Sequence, residues 1–121
     1  MTHWNDRQPI FRQLADQITQ QILKGVWREG EALPSVRNIS AEMKINHLTV
    51  MKGYQLLVDA GLVEKKRGQG MFVSLGAKQR LLNDEKSRFL EQQIPQIAAT
   101  LQRLDMSLEE FVLQLKLHTK G

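Results

Sequence analysis

At 121 residues the chain is long enough for about one domain with an appendage, and its balance of 41% hydrophobic to 25% charged residues is that of a folded globular protein rather than a disordered one. It has no cysteine, which excludes disulfides, thiolate zinc centres and thiol catalysis, and no apolar run approaches the roughly 18 residues that a membrane span needs. The net charge of +4 favours an anionic partner, and the excess lies in the first 75 residues, where ten Lys/Arg face seven Asp/Glu against seven and six in the remainder.

The start MTHWNDRQP is polar and lacks the apolar core of a signal peptide, so a cytoplasmic location is expected. From Pro9, the residues Ile10, Leu14, Ile18 and Ile22 recur every fourth position with Phe11 and Leu23 beside them, which predicts a helix that Gly25 ends. Residues 25–34, "GVWREGEALP", read as a loop with little regular structure. Ser35 then caps a short helix with Val36, Ile39 and Met43 on one face, and Asn46 caps the next, with Val50, Tyr54 and Leu57 inward and Gly61 at its end. Two helices joined by so few residues are a helix-turn-helix candidate.

Leu62-Val63 and Met71-Phe72-Val73 are β-favouring runs on either side of "KKRGQG", so residues 62–74 read as a hairpin with a cationic glycine turn. A nucleotide-binding loop fits worse. A third glycine of the dinucleotide fingerprint would fall at Val73, no helix follows, and no Gly-Lys-Ser/Thr is present. Gly53, inside the second helix of the pair, costs about 1 kcal/mol of helix propensity relative to alanine, which predicts close packing there against the helix that precedes it. Trp27 and Phe72 are assigned to packing.

From about Ala77 the chain reads as helical to its end, with Pro95 kinking or splitting it and a new helix starting at the capping box Ser107–Glu110. Leu90, Ile94, Ile97, Leu101, Leu104, Leu108, Phe111 and Leu115 step by four and three, a heptad-like seam on two helices that predicts a dimer interface with a second copy of the chain.

A first helix, a helix-turn-helix pair and a basic hairpin, in that order, make a winged helix-turn-helix, in which one helix enters the major groove and the hairpin reaches phosphates or the minor groove. The fold class expected is therefore mainly α with a small β-hairpin: a DNA-binding domain over 1–75 and a two-helix dimerisation tail over 76–121.

The blocks "LPSVRNIS", "LTVMKGYQLL" and "AGLVEKKRGQGMFV", within residues 8–73, closely resemble the DNA-binding domain of the GntR family of bacterial transcription regulators. The segment after Val73 is too short for the effector domains of the FadR-like or HutC-like branches or for the aminotransferase-like domain of the MocR-like branch, and it is similar to the two-helix tail of the YtrA-like branch. The resemblance implies a homodimeric repressor of a transporter-type operon, its own gene included, that binds double-stranded DNA at a two-fold symmetric operator. By position, the family's DNA contacts fall on Ser35 and Arg37 at the start of helix two, on His47, Thr49 and Lys52 of the recognition helix, and on Lys66, Arg67, Gly68, Gln69 and Gly70 of the wing. Arg37 can meet guanine or phosphate. His47 and Met51 depart from arginines found elsewhere in the family, which weakens or redirects direct readout.

An enzyme needs a cluster of titratable or nucleophilic groups, and the three histidines His3, His47 and His118 are scattered, so no catalytic residue, metal site or cofactor is expected. Two other readings stay open: a protein–protein interaction module built on the C-terminal helices, and a constitutive or architectural DNA binder without ligand control. A small-molecule effector of unknown chemical class is compatible with the first reading. No membrane partner is expected.

Overall fold

A computed structural model describes residues 4–119; His3 lies outside them. The elements run α1 (Ile10–Leu23), α2 (Val36–Met43), α3 (His47–Asp59), β1 (Val63–Lys66), β2 (Gly70–Val73), α4 (Ala77–Arg88), a π-helical segment (Phe89–Gln93), α5 (Ile94–Arg103) and α6 (Leu108–His118). The chain divides within α4, between Leu82 and Asn83, into two compact units.

In the first unit the helix ends follow from local chemistry. Pro9 occupies the N-cap of α1, and beyond its C-cap Lys24, Gly25 at φ +84° lets the N–H groups of Gly25 and Val26 return to the carbonyls of Ile22 and Gln21. The Ser35 hydroxyl accepts from the Asn38 N–H and the Asn46 side chain accepts from the Leu48 N–H, which fixes the starts of α2 and α3. Three residues join them. Lys44 takes the left-handed conformation at φ +55°, the Ile45 N–H donates to the Ser40 carbonyl, and the Ser40 hydroxyl donates to the Ile45 carbonyl.

The core is built from Leu14, Ile18 and Ile22 of α1, Ile39 of α2, and Val50, Tyr54 and Leu57 of α3, closed by Leu33, Ile45, Leu62, Val63 and Val73. Gly53 is where α3 meets α1, and not α2 as the sequence suggested: a Cβ there would stand 3.0 Å from the Phe11 carbonyl oxygen and 3.2 Å from Leu14 Cδ2. The missing side chain admits the backbone of the first helix. Trp27 packs at the core margin with its indole N–H on Gln21.

β1 and β2 pair antiparallel, Val63 opposite Val73 and Lys66 opposite Gly70. The loop between α1 and α2 is more regular than its composition implies. Ala32 bridges Phe72, the N–H groups of Gly30 and Leu33 donate to Val73 and Met71, and the Val73 N–H donates to Glu31, so this segment lies as a short third strand along β2. It covers the outer edge of the hairpin.

The first turns of α4 belong to this unit, since Ala77 and Leu81 are buried in the same core. The Glu29 carboxylate accepts from the N–H groups of Gly76 and Lys78, meeting the free donors at the start of α4. Arg80 donates to the carbonyls of Ala60 and Gly61 at the end of α3.

In the second unit, Pro95 is preceded by π-helical backbone in which the Ile94 N–H returns to the Phe89 carbonyl. A wider turn accommodates a residue that lacks an N–H and crowds the preceding carbonyls. Asp105 at φ +54° ends the run after α5, and the Ser107 hydroxyl accepts from the Glu110 N–H to start α6. The π segment, α5 and α6 contain no buried residue. Leu90, Ile94, Leu104, Leu108 and Leu115 are exposed, while Ile97, Leu101 and Phe111 are half-buried around a hollow between α5 and α6.

Candidate nucleic-acid interface

The inward residues Val50, Gly53, Tyr54 and Leu57 fix the roll of α3 about its axis, so His47, Leu48, Met51, Lys52 and Gln55 are its exposed residues over the first three turns. The position of α2 is tied to it by the Tyr54 hydroxyl, which donates to the Pro34 carbonyl just before the Ser35 cap. Burial pushes the Tyr54 phenol up to about 12, so it is a neutral donor in the folded protein. Ser35 and Arg37 are thereby held, exposed, at the start of α2 beside the start of α3.

The wing tip is a tight turn. The Gln69 N–H donates to the Lys66 carbonyl at 2.8 Å, and Gly68 occupies the third turn position at φ +75°, a conformation that favours glycine. Lys65, Lys66, Arg67, Gly68, Gln69 and Gly70 are all exposed. Lys66 Nζ lies 4.5 Å from the centroid of the Phe72 ring, which supports the cation's stem from beneath. Phe72 is therefore half-buried under Lys66 and beside Ala32 rather than in the core.

Of the residues singled out from the sequence, Ser35, His47, Lys66, Gly68, Gln69 and Gly70 line one groove between the starts of α2 and α3 and the wing, with Met51, Gln55 and Met71 along its floor and walls. Arg37, Thr49, Lys52 and Arg67 do not line it. Lys52 turns toward the start of α1, where its Nζ and the Arg12 guanidinium each lie 5.9 Å from the Phe11 ring centroid. Thr49 is half-buried.

This groups the cations differently from the sequence reading. Arg12 joins Lys52 on the side of α3 that faces the start of α1, and Lys65 joins the other wing cations on the opposite side; Arg12 is not among the residues singled out from the sequence. Between Glu42 and Asp59 the chain has no carboxylate, nor is there one from Lys65 to Gly70. The surface is thus cationic on both sides of the exposed face of α3, the distribution that phosphates on either side of a groove would meet. Among the described residues no group of three or more His, Asp or Glu is placed to hold a metal ion, and none of the described helices is long and apolar enough to cross a membrane.

The family model for bacterial regulatory proteins of the gntR family matches residues 11–73, the span that carries α1 to β2. The chain is 31% identical to the HTH-type transcriptional repressor YtrA of Bacillus subtilis over 93% of its own length and 88% of that protein's. It is 29% identical to the uncharacterized HTH-type transcriptional regulator YhcF of the same organism, over 93% and 92%. Among solved structures, a transcriptional regulator from Oenococcus oeni superposes with a TM-score of 0.74 at 26% identity, covering 95% of this chain and 94% of that one.

Proposed function

Since this chain belongs to the GntR family of bacterial regulatory proteins and is a DNA-binding transcription regulator of its YtrA-like type, we propose that it acts as a homodimeric repressor at a two-fold symmetric operator, on a transporter-type operon that includes its own gene. The name of the Bacillus subtilis relative, a transcriptional repressor, supports the direction of control.

The observation that carries this reading is the convergence of the α2 start, the first turns of α3 and the wing tip on one carboxylate-free cationic surface. In it α3 enters the major groove with His47, Thr49 and Lys52 at base edges or nearby phosphates, Ser35 and Arg37 secure the flanking backbone, and residues 66–70 follow the adjacent minor groove or phosphates. Gly68 and Gly70, which carry no side chain, let the wing backbone approach the duplex.

Residues 1–75 bind DNA in this reading, and residues 76–121 hold the two subunits together in the cytoplasm. Support for the second role comes from the tail itself: the seam from Leu90 to Leu115 has no buried member within one chain, and an apolar surface of that extent is covered by association.

Nuclease protection on the DNA upstream of the protein's own gene tests the proposal. The expected result is a protected site of two related half-sites about one helical turn or a multiple apart, and a reporter from that promoter that rises when the gene is deleted. Protection of a single asymmetric half-site, or a reporter indifferent to the deletion, contradicts it.

A further inference from the structure

The exposed face of the recognition helix carries two large apolar side chains. Leu48 is 65% exposed and Met51 50% exposed, and they lie three residues apart on α3, so they are neighbours on one face. Neither belongs to the core, which takes Val50, Gly53, Tyr54 and Leu57 from the opposite face. Their neighbours on that face are His47, Lys52 and Gln55, and the Gln55 amide is held by Asp59 at 2.8 Å. The presented face therefore carries an apolar pair with the Lys52 cation on its α1 side and the wing cations Lys65 and Lys66 on its other side.

That arrangement selects its occupant. A protein partner with an apolar patch would have to supply anionic groups on both sides of it, whereas duplex DNA has a phosphate ridge along each side of a groove. On the floor of the major groove, the one apolar group offered by the four base pairs is the thymine 5-methyl. Leucine or methionine pressed against a cytosine amino group or a guanine carbonyl would strip water from a polar atom and return no hydrogen bond. Against a thymine methyl both surfaces are removed from water with gain.

Resting on the DNA-binding reading above, we infer that Leu48 and Met51 are specificity-determining residues that read thymine methyl groups, so that each operator half-site carries thymines where the first turns of α3 enter the groove. Discrimination there is by apolar contact, and the cations of Lys52, Lys66 and Arg67 supply affinity without choosing the base.

The test begins with the full chain and duplex selected by it from random-sequence DNA. Each thymine of the selected site is then replaced by uracil, which keeps every hydrogen-bonding group and removes only the methyl. Wild-type protein is expected to lose about fourfold in affinity at the contacted thymines, the factor that burial of one carbon's apolar surface gives. In Leu48→Ala or Met51→Ala the loss on uracil substitution shrinks toward onefold at the position that side chain contacts. Leu48→Val, which keeps part of the apolar surface, falls between and serves as readout where the alanine variant binds too weakly. Tolerance of uracil at every position by the wild type overturns the inference, as does an equal uracil penalty in wild type and variants; in both cases specific binding persists and the DNA-binding reading stands. A selection that enriches no duplex overturns both.

Discussion

Arg80 reaches from the second turn of α4 to the end of the recognition helix, where its Nη1 donates to the Gly61 carbonyl at 3.3 Å and to the Ala60 carbonyl at 3.4 Å. A cation on the orphan carbonyls of a helix C-terminus stabilises it by roughly 0.3–1 kcal/mol at an exposed site. Arg80→Met, which keeps the stem and removes the donors, is expected to lower the melting temperature by about 2–6 °C in calorimetry. An unchanged melting temperature would mean that water satisfies these carbonyls equally well.

Gly53 decides how closely α3 sits on α1. A methyl group there gains about 1 kcal/mol of helix propensity, and it must press on the Phe11 carbonyl oxygen at 3.0 Å and Leu14 Cδ2 at 3.2 Å. These effects oppose each other at similar size, so Gly53→Ala is expected to stay within about 1 kcal/mol of wild type in denaturant unfolding. Gly53→Leu has no space to enter and is expected to cost 1–3 kcal/mol or more, in the range of an overpacked core.

Tyr54 supplies a pH dependence whose sign is fixed by its raised phenol, about 12 in the fold against an ordinary value of 10. The folded state holds the proton more tightly than the unfolded chain, so this contribution is complete below pH 10 and is lost as pH rises through 12. The loss amounts to roughly 2–3 kcal/mol. Tyr54→Phe removes that part of the alkaline slope, at a constant cost below pH 10 from leaving the Pro34 carbonyl unpaired. Chemical unfolding of both proteins between pH 8 and 12 checks the difference.

In the wing, Lys66 and Arg67 are expected to act through charge. Replacing either by alanine should weaken binding to specific and scrambled duplexes alike, and each replacement should reduce the slope of log affinity against log salt by about 1. Phe72→Leu removes the ring beneath Lys66 and should reproduce part of the Lys66→Ala loss without changing the salt slope. Titrations at four salt concentrations separate the two.

Much of this structure could be read from local signals. Ser35, Asn46 and Ser107 mark helix starts because their side chains accept from nearby N–H groups, and Gly25 and Gly61 mark ends because they take positive φ. The same locality explains the wing, whose β-favouring runs flank a glycine turn. What escaped depends on residues far apart in sequence. Residues 30–33 have no strand-like composition and become regular only because β2 offers a free edge. The glycine at 53 signals close approach, but the partner read from the sequence is α2, and the placed helices make it α1. Ala77 and Leu81 follow the wing and join its core through tertiary packing alone. Family correspondence supplied the polar and glycine positions of the proposed interface, while Arg12 and Leu48, given no role from the sequence, stand out only from the roll of α3 and its packing on α1.

The most direct measurement compares the affinity of the wild-type chain for its selected operator with that for a scrambled duplex of the same composition, near physiological salt. A specific regulator with this surface is expected to prefer the operator by roughly 10³-fold or more, and to lose affinity for both duplexes steeply as salt rises. Equal affinity for the two duplexes at every salt concentration would contradict the account, leaving a cationic surface that binds DNA without reading it.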